Sequence, residues 1–225
     1  GERYYNVSSG ASVTTNLATI YNRFQPHAKQ FDVARLFFRA ENGATITATV
    51  GAGTPQSRSF DGSSGVQMYE LKAKGSKINY KFSNVGEGFT GFGMALESLQ
   101  GVILDCMSVR GSSGLTLQSI PQSTLVDFAK LRPYDLIIVH YGLNVAVSGN
   151  PKNIIQNYAR NMGKVVAHLR QAFPETSILV FSVPDHEQRG ADGIKTLKEV
   201  HALVAFQQQM AADKKVGFYN FFQAM

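Results

Sequence analysis

The chain has 225 residues, 44% of them hydrophobic and 17% charged, with a formal net charge of +6 at pH 7. That is enough apolar material for one or two domains with a sizeable core, and too much for a disordered chain. No apolar run approaches the roughly 20 residues that cross a bilayer, and the start, Gly1 to Tyr5, has no signal-peptide pattern. The cations are scattered. Lys72, Lys74 and Lys77, and Lys214 with Lys215, come nearest to clusters, so nucleic acid is not an expected partner. Cys106 is the single cysteine, which excludes an internal disulfide and a CxxC metal site. Its apolar surroundings predict a buried, inert thiol. The histidines at 27, 140, 168, 186 and 201 lack metal-ligand spacing, so a zinc site is not expected.

Residues 1 to about 30 are rich in Ser, Thr, Asn and Gly and read as irregular, with at most one edge strand. From Arg35 the period becomes two. Arg35–Ala40 and Ala44–Val50 flank Asn42-Gly43, a pair that tolerates positive φ and predicts a hairpin. A Gly- and Ser-rich loop is expected from Gly51 to Gly65. Val66–Leu71 and Lys77–Phe82 form a second alternating pair, and Phe92, Met94 and Leu96 a further strand. Some five short strands without a helical segment predict a small antiparallel β-sandwich, jelly-roll-like, over residues 1–100.

At Gly101 the pattern changes. Val102–Met107 reads as a buried strand, Gln122–Leu131 as a helix, and Leu136–Val139 as a strand buried on both faces of a parallel sheet. Pro151–Phe173 is the clearest helix, with Ile154, Ile155, Tyr158, Met162, Val165, Val166 and Leu169 at spacings of three and four. Ile178–Val183, Thr196–Lys214 and Val216–Phe221 continue as strand, helix and strand. Such alternation predicts an α/β domain over residues 101–225, a parallel sheet between helical layers. The sheet reads as unfinished: no initial strand with its nucleophile- or phosphate-bearing turn comes first, and no covering helix follows the last strand.

Strand ends in such a sheet gather ligands. After Val102–Met107 comes Ser108 to Gly114, with Arg110, Gly111, Ser112 and Ser113; after Leu136–Val139 come Gly142 and Asn144; after Ile178–Val183 come Pro184, Asp185, His186 and Glu187. A backbone N–H and an amide N–H suit an oxyanion. Each signal has an ordinary alternative. Gly142 and Asn144 could simply turn the chain, His140 could be a structural histidine, and Arg110 a solvated loop residue. His186 adjoins Asp185, but neighbours on an extended segment point apart. His201 lies along a helix. Nothing marks Ser108, Ser112 or Ser113 as activated, since a nucleophilic serine needs a base within reach.

These pieces in this order resemble the SGNH, or GDSL-like, hydrolases. Gly101–Gly114 is similar to the second motif block, with Gly111 in its oxyanion position, and Tyr134–Asn144 to the third, with Gly142 and Asn144 as its Gly-x-Asn. The closest arrangement is the group with a β-sandwich inserted between the first and second blocks, and Pro184-Asp185 is similar to a turn in that group. The resemblance implies a three-layer fold and an esterase acting on acyl or acetyl groups of a carbohydrate, cell-wall polymer or small ester, with Gly111 and Asn144 as oxyanion donors and no cofactor. It also implies a secreted or periplasmic setting. The chain departs from the pattern in four respects. No Gly-Asp-Ser follows a strand, Asp61-Gly62-Ser63-Ser64 falls in a sandwich loop, the terminal Asp-x-x-His is absent, and Val145 stands where an acidic residue is common. The nucleophilic Ser and the base His are therefore unassigned, and the chain reads as an internal fragment, inactive alone, that would associate with a missing segment or another copy. A second reading is a non-catalytic glycan-binding module or structural relative, with Tyr4, Tyr5, Tyr69 or Phe89 as exposed sugar platforms.

Overall fold

The computed structural model describes residues 5–17, 29–107, 111–190 and 193–225. It is mixed α/β and divides into two compact units, Gly1–Cys106 and Met107–Met225.

The first unit is built of antiparallel strands: β1 (Tyr5–Asn6), β2 (Ser12–Asn16), β3 (Phe31–Ala40), β4 (Ala44–Val50), β5 (Gln56–Phe60), β6 (Gln67–Gly75), β7 (Lys77–Ser83) and β8 (Phe89–Glu97). One sheet runs β1-β8-β3-β6 and the other β2-β7-β4-β5. The hairpin predicted at Asn42-Gly43 joins β3 to β4, which lie in different sheets, so the turn is a corner rather than a ladder. Period two decides the interior. Leu36, Phe38 and Ala40 of β3, Ile46 and Ala48 of β4, and Ile78, Tyr80 and Phe82 of β7 share one core. Phe38 stacks on Phe89 at 5.3 Å and meets Phe60 edge-on at 4.9 Å. On the opposite side of β3, Arg35 bonds Glu70 of β6 at 2.9 Å and also Glu97 of β8.

Several expectations change here. Gln56–Phe60 is a strand inside the expected Gly51–Gly65 loop. Its mostly exposed polar residues hide it from a hydrophobic pattern, and it is held by ladder pairing to β4. Tyr69 and Phe89, expected as exposed sugar platforms, are only 4% exposed and belong to the core. Tyr5 is exposed, and Tyr4 lies outside the described residues. Residues 101–107 form no strand: Val102 and Leu104 are 101% and 82% exposed, and Cys106 is an exposed thiol, not a buried one. An apolar run becomes a strand only where another strand accepts its backbone bonds, and this one joins none of the sheets formed by the described residues.

The second unit holds α1 (Gln122–Leu131), β9 (Leu136–Val139), α2 (Lys152–Ala172), β10 (Ser177–Phe181), the hairpin β11 (Glu187–Gly190) and β12 (Gly193–Thr196), α3 (Lys198–Asp213), β13 (Gly217–Tyr219) and the short α4 (Phe221–Ala224). The parallel sheet runs β13-β10-β9. Ile137, Val139, Ile178, Val180 and Phe218 face a core shared with Leu125 of α1, Ile155, Met162 and Val166 of α2, and Val200 and Leu203 of α3. The other face carries Leu136 and Ile138, each 46% exposed, and Tyr219, 45% exposed. β9 is thus buried on one face rather than two, and the second helical layer of a three-layer fold is absent among the described residues. The hairpin β11–β12 takes up residues read as a loop and the start of a helix. The last expected strand is shorter than Val216–Phe221, because Asn220 caps α4 by accepting a bond from the Gln223 N–H at 3.1 Å.

Candidate active site

The segments after β9 and β10 and the loop 111–114 come together within the second unit. Asn144 donates from Nδ2 to the Ser112 carbonyl at 3.3 Å. Tyr158, buried on α2, donates its hydroxyl to the Ser113 carbonyl at 2.7 Å. Burial holds that phenol protonated, with its pKa well above the ordinary value and Tyr141 pushing the same way. The loop also closes on itself, the Gly114 N–H bonding Ser112 Oγ at 3.0 Å.

Two glycines are required by space. Gly142 has φ of 119°, and a Cβ there would lie 3.0 Å from Tyr158 Cε1 and 3.1 Å from Leu203 Cδ2. A Cβ on Gly114, at φ of 81°, would enter the Tyr141 ring at 2.6–2.9 Å. Both backbones lie against aromatic rings that leave no room for a side chain. Tyr158 therefore touches both halves of the candidate site, backing Gly142 and anchoring the loop that carries Gly111.

Behind this surface lies a polar clamp that the sequence pattern does not disclose. Gln207 of α3, 3% exposed, donates to the Tyr141 carbonyl at 2.9 Å and accepts the Val183 N–H at 3.0 Å. It ties together the chain leaving β9 and the chain leaving β10. Glu199, also buried, accepts the Gly149 N–H at 3.0 Å, and Asn150 donates to the Val145 carbonyl at 2.8 Å. Ser182, fully buried, accepts the Phe222 N–H at 3.0 Å. A polar residue at a position that helical periodicity makes inward-facing, such as Gln207, is the signal that could have found the clamp.

The remaining candidates do not assemble into acid–base machinery. Asp185 accepts from Thr196 Oγ1 at 3.1 Å, and its other oxygen is buried without a hydrogen-bond partner among the described residues. His186 meets the Ala146 carbonyl at 3.1 Å, and no described hydrogen bond joins it to Asp185. His140 lies 5.8 Å from the Phe181 ring and 5.6 Å from that of Phe221. One side of it is open to water. Desolvation of the other lowers its pKa. His201 packs edge-on against Phe222 at 5.1 Å. Among the described residues no histidine hydrogen-bonds Ser112 or Ser113. Ser108 and Arg110 lie outside those residues. No group of three His, Cys, Asp or Glu side chains is placed to hold a metal ion among them either.

No protein-family model and no curated protein matches this sequence. Solved structures do. The chain is similar to a peptidoglycan O-acetylesterase, with a TM-score of 0.60 and 19% identity over 96% of this chain and 57% of that one. It is less similar to Est24, a carbohydrate acetylesterase from Sinorhizobium meliloti, with a TM-score of 0.36 and 20% identity over 51% of this chain and 55% of that one. A family two carbohydrate esterase from Cellvibrio japonicus gives a TM-score of 0.32 and 14% identity over 93% and 79%. The first likeness shows a shared mixed α/β fold. This chain spans 57% of that protein's length.

Proposed function

We propose that this chain belongs to an SGNH-type ester hydrolase that removes acyl or acetyl groups from a carbohydrate or cell-wall polymer. The observation that carries the reading is the joining of Asn144 to the loop 111–114 at the ends of the parallel strands. One N–H of the Asn144 amide is spent on the Ser112 carbonyl, and the amide has a second to offer. The Gly111 N–H makes no hydrogen bond among the described residues. In this reading the Gly111 N–H and the Asn144 amide act together as the pair of donors. When a hydroxyl nucleophile adds to the ester carbon, the carbonyl π pair moves onto oxygen, and these donors hold the resulting oxyanion. Collapse re-forms the carbonyl and expels the sugar oxygen, which leaves with a proton. Water then repeats the addition on the acyl-enzyme and releases the carboxylic acid. In this reading the nucleophilic Ser and the base His come from outside this sequence, and the setting is secreted or periplasmic, where cell-wall polymers lie. The open sheet face, and the edge of β9 that pairs with no strand among the described residues, are covered there by a further segment or by another copy, as exposed apolar surface and unpaired strand edges require.

The test is hydrolysis of p-nitrophenyl acetate and of O-acetylated peptidoglycan by the protein carrying its flanking coding sequence. Asn144→Ala should lower kcat by about 10²–10³, the usual effect of losing one oxyanion donor. Full activity in that variant removes Asn144 from the site. The 225-residue chain alone should turn over far below about 1 per second and leave every serine unlabelled by a fluorophosphonate.

A further inference from the structure

With Tyr69 and Phe89 in the core, any glycan contact by the first unit needs another surface, and the outer face of the sheet β2-β7-β4-β5 has a composition of its own. Thr45, Thr47 and Thr49 alternate outward along β4, opposite the core residues Ile46 and Ala48. Lys77, Asn79 and Lys81 alternate outward on the neighbouring β7, where Lys81 pairs Thr47 and Asn79 pairs Thr49. The flanking strands present only hydroxyl and amide groups on this side, and none of these strands places a carboxylate or an aromatic ring there. The polar groups are fixed before any ligand arrives. Thr47 and Ser57 hydroxyls meet at 2.6 Å, Thr45 and Ser59 at 3.2 Å, and Asn79 Nδ2 donates to Thr14 Oγ1 at 2.8 Å. Both lysines are exposed, and neither forms an ion pair among the described residues.

We infer that this face binds an extended acidic polysaccharide laid along β7, between its neighbours β2 and β4. The reasons are charge and hydrogen bonding. Ordinary solvated surfaces intersperse both signs, whereas this one offers only cations among neutral donors and acceptors. Hydroxyls and amides held about 4.8 Å apart from strand to strand can exchange hydrogen bonds with the many hydroxyls of a sugar chain. Lys77 and Lys81, about 13 Å apart at four residues along a strand, supply charge for its carboxylates. Single-stranded nucleic acid fits less well, because its binding relies on aromatic platforms for the bases, and this face has none. The inference stands apart from the ester-hydrolase reading, since binding is read without hydrolysis and either can fail alone.

The experiment is affinity electrophoresis of the full 225-residue chain through gels containing polygalacturonate, neutral dextran or single-stranded DNA. The chain should be retarded by polygalacturonate only, and the retardation should weaken at about 0.5 M salt as screening shortens the reach of the lysines. Lys77→Glu with Lys81→Glu should weaken retention roughly tenfold or more. Lys77→Gln with Lys81→Gln, a milder pair that keeps the face polar, should give an intermediate loss. Arg160→Glu with Lys164→Glu on the exposed side of α2 makes the same change in net charge in the other unit and should leave retention within about twofold. Retention unchanged by the Lys77 and Lys81 variants would overturn the inference. So would equal loss in the Arg160 and Lys164 control, equal retention by DNA, or equal retention by dextran.

Discussion

The two units solve the same problem differently. The antiparallel unit closes its core with its own sheets: Phe38, Ile46, Ile78 and Tyr80 are all at most 1% exposed. Among the described residues the parallel unit completes only one face. Val139 and Val180 are 4% and 2% exposed, while Leu136 and Ile138 on the reverse side of the same sheet are 46% exposed. A sandwich of two sheets supplies its own second layer, whereas a parallel sheet needs cover on both faces from elements outside it. A half-covered parallel sheet can therefore hold hydrogen-bonded loops at its strand ends while leaving apolar surface behind them.

The sharpest way to break this contrast is the same kind of deletion on each side of it. Phe38→Ala, in the aromatic stack of the sandwich, should destabilise the first unit by about 3–5 kcal/mol. Ile138→Ala on the open face should cost only about 1 kcal/mol, because nearly half of its surface stays in water in the folded chain. Urea titration with hydrogen exchange resolved by unit measures both. Equal losses would mean that the open face is covered.

Next in size is the clamp. Gln207→Leu keeps the volume but leaves the Tyr141 carbonyl and the Val183 N–H without a partner. A loss of about 2–3 kcal/mol in the second unit is expected, with faster exchange at Val183. A variant as stable as the parent would mean that water replaces the amide.

A single chemical change should act oppositely in the two units. Tyr158→Phe frees the Ser113 carbonyl and should cost about 1 kcal/mol, loosening residues 111–114 in exchange measurements. Tyr80→Phe should be neutral or slightly stabilising, because the Tyr80 hydroxyl is buried with no partner among the described residues and removing it relieves an unmet polar group. Denaturant midpoints of the two variants would reverse this order if Tyr80 has an unseen partner.

The smallest effect is that of pH. Contact with Phe181 and Phe221 lowers the His140 pKa below its ordinary 6.5. Across the window between the two values the unfolded chain binds more protons, so stability falls as pH drops from the ordinary value through the folded one. His140→Phe should flatten that slope. Its exposed side keeps the effect small, and an unchanged slope by thermal melts at neutral and mildly acidic pH would remove His140 as its source.

Local chemistry sufficed where a residue's role depends on its neighbours in the chain. The alternation in β4 and β7, the apolar stripe of α2 and the turn at Asn42-Gly43 were legible because side-chain direction follows from backbone period alone. The pairing of Gly142 with Asn144 was legible as a strand-end turn, and the structure adds the bond from Asn144 to the Ser112 carbonyl. What the tertiary structure decided was everything that depends on a distant partner. Residues 102–107 have a strand's composition but join no sheet among the described residues, and Val102 and Leu104 stay exposed. Gln56–Phe60 lacks apolar alternation yet becomes a strand because β4 offers its edge. Tyr69 and Phe89 carry the composition of a sugar platform and lie in the core, since a ring's exposure is set by what packs over it. Gln207 is one amide in an amphipathic helix by sequence. It becomes the tie between two strand ends only because α3 lies against them, a contact fixed by burial of Val200 and Leu203 rather than by any local rule.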